Sequence, residues 1–107
     1  MATLNLAKDF SPYPAGRYPE DGPYNGEYFR DDVLLPMLHE NQTVRINIDG
    51  VALLPSSFWE EIWGGMIRKR RLGKAEVQQR FEVIATDPDL QRYVDLASKF
   101  VTDAEPE

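Results

Sequence analysis

Cysteine is absent from this 107-residue chain, and histidine occurs once. Without thiols there can be no disulfide framework, no thiolate nucleophile and no zinc–thiolate site, and nothing argues for an oxidising compartment. His39 stands beside Glu40 with no second ligand a helical turn away, so no metal site is expected. Long apolar runs are missing too. No stretch approaches the roughly 18 to 20 apolar residues of a membrane span, and MATLNLAKDF has neither the basic start nor the apolar centre of a secretory leader. The expectation is a cytoplasmic protein with no membrane partner. Walker-type glycine loops and Ser-His-Asp constellations do not occur, and Asp31 and Asp32 fall about 100° apart on a helix, which aims no carboxylate pair at one centre. Neither a cofactor nor catalysis is expected. An excess of positive charge is also lacking: at −6, the field of the molecule opposes general affinity for nucleic-acid phosphates.

The apolar content, 42% of residues, suffices for one core, and the length suits a single domain spanning residues 1–107. Thr3 to Leu6 alternate as a short edge strand does. From Phe10 to Asn25 four prolines and two glycines exclude helix and central strand, which predicts a long loop. Asn25 is placed to cap a helix carrying Phe29, Val33 and Met37, and Pro36 should kink or break it. Val44 to Ile48 (VRINI) alternates as a strand and ends at the turn Asp49-Gly50. Ser57 and Glu60 match the capping box, which predicts a helix with Ser57 as its cap; Phe58, Trp59, Ile62, Trp63, Met66 and Ile67 form its wide apolar face. Gly64 and Gly65 weaken that helix unless they serve close packing. Phe81 to Ala85 reads as a strand, and Asp87 with Pro88 opens a helix through Leu90, Val94, Ala97 and Val101. Residues 103–107 read as a frayed tail. Strands alternating with helices imply an α/β domain, a small mixed or parallel-containing sheet covered by about three helices.

The run INIDGVALLPSSFWEEIWGGMIRK resembles the central motif of STAS domains, the fold of sulphate-transporter cytoplasmic domains and anti-sigma-factor antagonists. Asn47 takes the strand's polar place, Gly50-Val51 the turn, and Pro55-Ser56-Ser57-Phe58 the loop before the helix. With GPYNGEYFRDDVLLPML upstream, the chain is similar to a bacterial STAS-like family of uncharacterised function, related to those antagonists. The resemblance implies a non-catalytic regulatory or scaffolding module that binds a protein partner, with a histidine-kinase-like ATPase as the partner class. It maps the phosphorylated serine of the antagonists to Ser57. The acid that usually precedes the serines is Pro55 here, and Glu60 and Glu61 would bring like charge to a phosphate.

Three candidate surfaces follow. Ser56, Ser57, Trp59 and Trp63 would bind the partner if the two indoles lie on the helix flank, since tryptophan is enriched at binding hot spots; otherwise both indoles are core. Arg17, Tyr24 and Arg30 bracket the tyrosine-rich loop and could hold an anion or ligand, the basis of an alternative reading as an anion or nucleotide sensor or small enzyme. The run Arg68 to Arg71 with Lys74 lacks interleaved aromatics and reads as a solvated helix end complementing the dipole rather than a nucleic-acid patch. The oligomeric state is not set by any of these features.

Overall fold

The computed structural model describes residues 1–107. Three strands, β1 (Ala2–Asn5), β2 (Val44–Asn47) and β3 (Phe81–Ile84), form one parallel sheet in the order β1-β2-β3. Parallel neighbours require crossovers. The first runs through α1 (Leu6–Asp9), the long loop and α2 (residues 26–40); the second runs through α3 (Ser56–Arg68) and α4 (Lys74–Arg80). The helix α5 (Gln91–Asp103) closes the chain. Helix α3 lies at the centre of the helical layer, with α2 on one side and α5 on the other.

The pairing register explains why one face of the sheet is dry and the other wet. Val44 lies beside Ala2 and Phe81, and Ile46 beside Leu4 and Val83, so alternate positions stack an apolar face toward the helices. The intervening rows, Thr3-Arg45-Glu82 and Asn5-Asn47-Ile84, are mostly polar, and Arg45 pairs with Glu82 across the strands. The core is threaded by aromatic contacts. Phe10, Phe29, Phe58, Trp59, Trp63 and Phe81 follow one another with ring centroids 4.7 to 6.4 Å apart.

Local signals place most of these elements. The Asn25 side chain accepts from the Tyr28 amide, as an N-cap should. Asp87 accepts from the Asp89 amide and opens a single 3₁₀ turn, Pro88–Leu90, that leads into α5. Helix α2 departs from expectation, because Pro36 does not break it. Gly26–Tyr28, a π-helical stretch Phe29–Leu34 and Leu35–Glu40 run on as one rod with helical backbone angles at both junctions. In the π stretch the Leu35 amide reaches back five residues to Arg30, and this wider turn makes room for a proline ring with no N–H to donate.

Two further expectations are corrected. Helix α3 starts two residues early, with Pro55 rather than Ser57 as its cap and no side-chain capping bond, so the Ser57–Glu60 box does not form. Glu60 is turned instead toward Arg17 and Arg68. The tail is not frayed: Ala104 is buried, and the Glu107 backbone is bonded by Arg71 and reaches the Arg68 carbonyl.

Candidate functional site

Helix α3 brings Glu60 and Glu61 into the middle of a charge network drawn from four parts of the chain. Arg17 comes from the long loop, Arg30 and Asp31 from α2, and Arg68, Lys69 and Arg70 from the end of α3 and beyond. Glu61 Oε2 accepts from Arg30 Nη1 at 2.7 Å and Lys69 Nζ at 3.0 Å, while its Oε1 accepts from Arg17 at 3.2 Å. Glu60 takes Arg17 at 2.6 Å and both terminal nitrogens of Arg68. Arg30 grips Asp31 with two nitrogens, and Arg70 binds that carboxylate from the far side. The centre is dry, since the side chains of Arg30 and Glu61 are each 1% exposed.

Burial alone would raise all three acids, but the surrounding donors prevail. Glu60 and Glu61 are held below the ordinary glutamate value, and Asp31 falls to about 2 under the hydrogen bonds of Arg70 and Arg30. Gly64 and Gly65 are what let the network cross the helix. A Cβ on Gly65 would stand 2.2 Å from Arg30 Nη1, and one on Gly64 2.0 Å from Glu60 Oε2. Gly26 similarly lets α2 approach α3, for a Cβ there would meet the Phe58 carbonyl at 2.7 Å.

This geometry corrects several candidates. The arginines of the presumed anion loop are not free: Arg30 is sealed against Glu61 and Asp31, and Arg17 is spent on Glu60 and Glu61. Tyr24 is exposed and packs edge to face against Phe10. Arg68 to Arg70 are not a solvated helix end either, since each is paired with a specific carboxylate. Lys69 also donates to the Tyr18 hydroxyl and lies over its ring, which pins the long loop to α3. Trp59 and Trp63 do not line a flank. They are 0% and 2% exposed, packed edge to face, and the Trp59 indole donates to the Tyr93 carbonyl. The sheet and α5 cover the side of α3 that carries them.

What remains open lies at the carboxyl ends of the strands. After β2 the Asp49 carboxylate accepts from the Thr86 and Asp87 amides and the Thr86 hydroxyl, which ties the turn after β2 to the turn after β3. Those amides hold Asp49 below its ordinary value. Asn5 donates to the Asp49 carbonyl, so all three strand ends meet at one rim. Gly50 takes φ +92°, a left-handed turn that favours glycine, and the chain then runs across the rim as Val51–Pro55. Here Leu53 is 58% exposed, Ser56 is exposed and Ser57 is half-buried. A cleft of about 190 Å³ separates Leu53 and Leu54 from Leu90, Arg92 and Tyr93. In open α/β sheets, binding sites fall at this end of the strands.

A three-stranded parallel sheet with its helices gathered on one face, and two serines in the first turn of the central helix, defines a STAS-like α/β domain. Over residues 25–91 the chain matches the model of the family described as STAS-like domain of unknown function (DUF4325), and it belongs to that family. The match takes in Arg30, Asp31, Glu60, Glu61 and Arg68–Arg70 but not Arg17, so the centre of the charge network lies within the family's span. Comparisons with curated proteins and with solved structures return no match. No helix is long and apolar enough to cross a membrane.

Proposed function

We propose that this chain is a non-catalytic regulatory or scaffolding module that docks a protein partner on the rim formed by Val51 to Ser57 and the start of α5. The carrying observation is the contrast in exposure. The large side chain Leu53 and Ser56 stand open at the strand ends with Ser57 half-buried beside them, whereas the chemistry-bearing arginines and the two tryptophans are committed inward. An exposed leucine beside a cleft edged by Tyr93 and Arg92 has the composition of an interface anchor.

The partner class follows from the STAS-like resemblance: a histidine-kinase-like ATPase that phosphorylates Ser57. Two features support a serine switch here. The amides of the first turn of α3 have no side-chain cap, and the acids that would repel a phosphate, Glu60 and Glu61, are already neutralised by Arg17, Arg68, Arg30 and Lys69. The test is calorimetry against a histidine-kinase-like ATPase encoded in the same genome. Binding is expected, weakened at least about tenfold by Leu53→Asp with melting unchanged, and ATP should add about 80 Da at Ser57. Absence of binding, or full affinity in Leu53→Asp, overturns the docking surface; modification at another residue overturns the switch.

A further inference from the structure

Strand β3 is an edge of the sheet, paired with β2 on one side and with no strand on the other. The phase of that pairing says which of its groups face outward. The Ile48 amide donates to the Ile84 carbonyl, so in a parallel ladder Glu82 and Ile84 turn their backbone groups toward β2, while Phe81, Val83 and Ala85 turn theirs away. Two outward groups are closed within the fold. The Phe81 amide donates to the Val77 carbonyl at the end of α4, and the Ala85 carbonyl accepts from Gln91 at 2.6 Å. The amides of Val83 and Ala85 and the carbonyls of Phe81 and Val83 stay open. Edge strands are commonly blunted by proline, lysine or a bulge, and the FEVI strand has none of these. Its one charge, Glu82, is answered by Arg45 at 2.6 Å. At the opposite edge the Asn5 amide is taken by Asp9, so the chain closes the end of β1 itself.

We propose that β3 is a dimerisation edge, joined in antiparallel sense to β3 of a second copy about a two-fold axis at Val83. The open groups are self-complementary in this arrangement. Each Val83 amide donates to the Val83 carbonyl of the other copy, and each Ala85 amide donates to the other copy's Phe81 carbonyl, so every open group is used. The groups that the same register would next bring together, the Phe81 amide and the Ala85 carbonyl, are the two already closed. Moving the axis to Glu82 or Ile84 would set an open group against a closed one. Side chains agree with the register. Ile84 is the apolar member of the row Asn5-Asn47-Ile84 on the wet face, and pairing covers it with Glu82 and Ile84 of the second copy while keeping the two Glu82 carboxylates from lying directly opposite. On the helical side, Gln78, Val94, Ala97 and Ser98 flank the edge without charge. Two copies at −6 can therefore meet here without a local clash of carboxylates.

The experiment is sedimentation of the full chain from about 1 μM to about 1 mM, over which the mass should rise from 12.3 kDa to twice that and stop. Hydrogen exchange read by NMR at low and high concentration locates the surface. The Val83 and Ala85 amides should slow as the dimer forms, whereas the Thr3 amide, outward on the β1 edge, should not. Val83→Pro removes the outward amide and leaves the ladder to β2 intact, a position where an edge strand tolerates proline. It deletes half of the bonds across the axis and should weaken association at least about tenfold, while Thr3→Pro, the same change on the other edge, should associate as wild type. A chain that stays at 12.3 kDa overturns the second copy as occupant and leaves the edge to an extended segment of another protein. A mass that grows past two copies, full association in folded Val83→Pro, or exchange at Val83 and Ala85 that ignores concentration overturns it equally. Should Val83→Pro fail to fold, Ile84→Glu on the wet face, which gathers four carboxylates about the axis, takes its place with the same expectation.

Discussion

Replacing Glu61 by glutamine asks how much of this fold rests on one buried carboxylate. The substitution keeps the size and one acceptor oxygen but removes the charge that faces Arg30, Lys69 and Arg17. Two of the three cations can respond cheaply: the side chains of Arg17 and Lys69 are 37% and 27% exposed and can turn to water. Arg30 cannot. At 1% exposure it retains Asp31 and the Glu61 carbonyl, but it loses its only other buried anion. Removing one partner of a buried pair typically costs about 3–5 kcal/mol, and the retained partners argue for the lower end, about 3 kcal/mol. For a domain of this size, that corresponds to a fall in Tm of more than about 10 °C. Urea melts followed by circular dichroism should show a lower midpoint at unchanged slope. A companion variant isolates the cause: Arg30→Met with Glu61→Leu should recover much of the loss, because apolar side chains of similar size often replace a buried pair at little cost. A loss below about 1 kcal/mol in Glu61→Gln, the value of an exposed pair, would refute the claim that the centre is dry.

The adjacent glycines should behave differently. Gly65→Ala pushes on a buried Arg30 that has nowhere to go and should cost about 1–3 kcal/mol despite alanine's better helix propensity, whereas in Gly64→Ala the crowded ends of Glu60 and Arg68 can swing outward and the change should stay within about 1 kcal/mol; both are read from urea midpoints. Acid should unfold the protein through the same groups. Asp31, Glu60 and Glu61 have folded values below their unfolded ones, so their stabilisation is present above the ordinary carboxylate range and fades as pH falls from about 4 toward the Asp31 value of about 2; a melting temperature flat across that interval would contradict it. Trp59→Phe breaks the bond to Tyr93 and should destabilise more than Trp63→Phe, which removes an indole N–H that had no acceptor, by about 1 kcal/mol in parallel melts.

Elements with local punctuation were legible from residues alone. The alternation in VRINI, the Asn25 cap and the Asp87-Pro88 start each arise from neighbours in sequence; the structure carries the first two where they were expected, while Asp87 caps a 3₁₀ turn and the helix itself begins at Gln91. Helix α4 was not legible, because KAEVQQR buries only Val77 and so lacks an apolar stripe to count. The capping box failed for a tertiary reason. Ser57 and Glu60 have the right spacing, but Arg17, forty-three residues away, and Arg68 compete for Glu60 and win it. Pro36 misled in the opposite sense, since the adjustment that tolerates it lies in the turn before it.

The charge network was hidden by composition. Glu60-Glu61 and the run Arg68 to Arg71 each read as a solvated face, and nothing in their spacing says that they point at one another. The one sequence signal was Gly64-Gly65, two poor helix formers in the middle of an otherwise strong helix. Their use is now clear: the space a Cβ would take holds the ends of Glu60, Arg68 and Arg30. The same arrangement bears on function. By anchoring the long loop, α2 and the chain's end to a single helix, the network stiffens one end of α3 and consumes the charges that could have bound a ligand there. The other end of that helix, with its uncapped amides, exposed Ser56 and Leu53 ahead of it, is left unencumbered. A partner that docks on this end meets a surface held rigid from behind, which lowers the ordering cost of binding. Loosening the network should therefore weaken docking even though none of its residues touches the rim. Gly65→Ala, measured for partner affinity at a temperature where it remains folded, puts that coupling to the test: a loss of affinity supports it, and wild-type affinity refutes it.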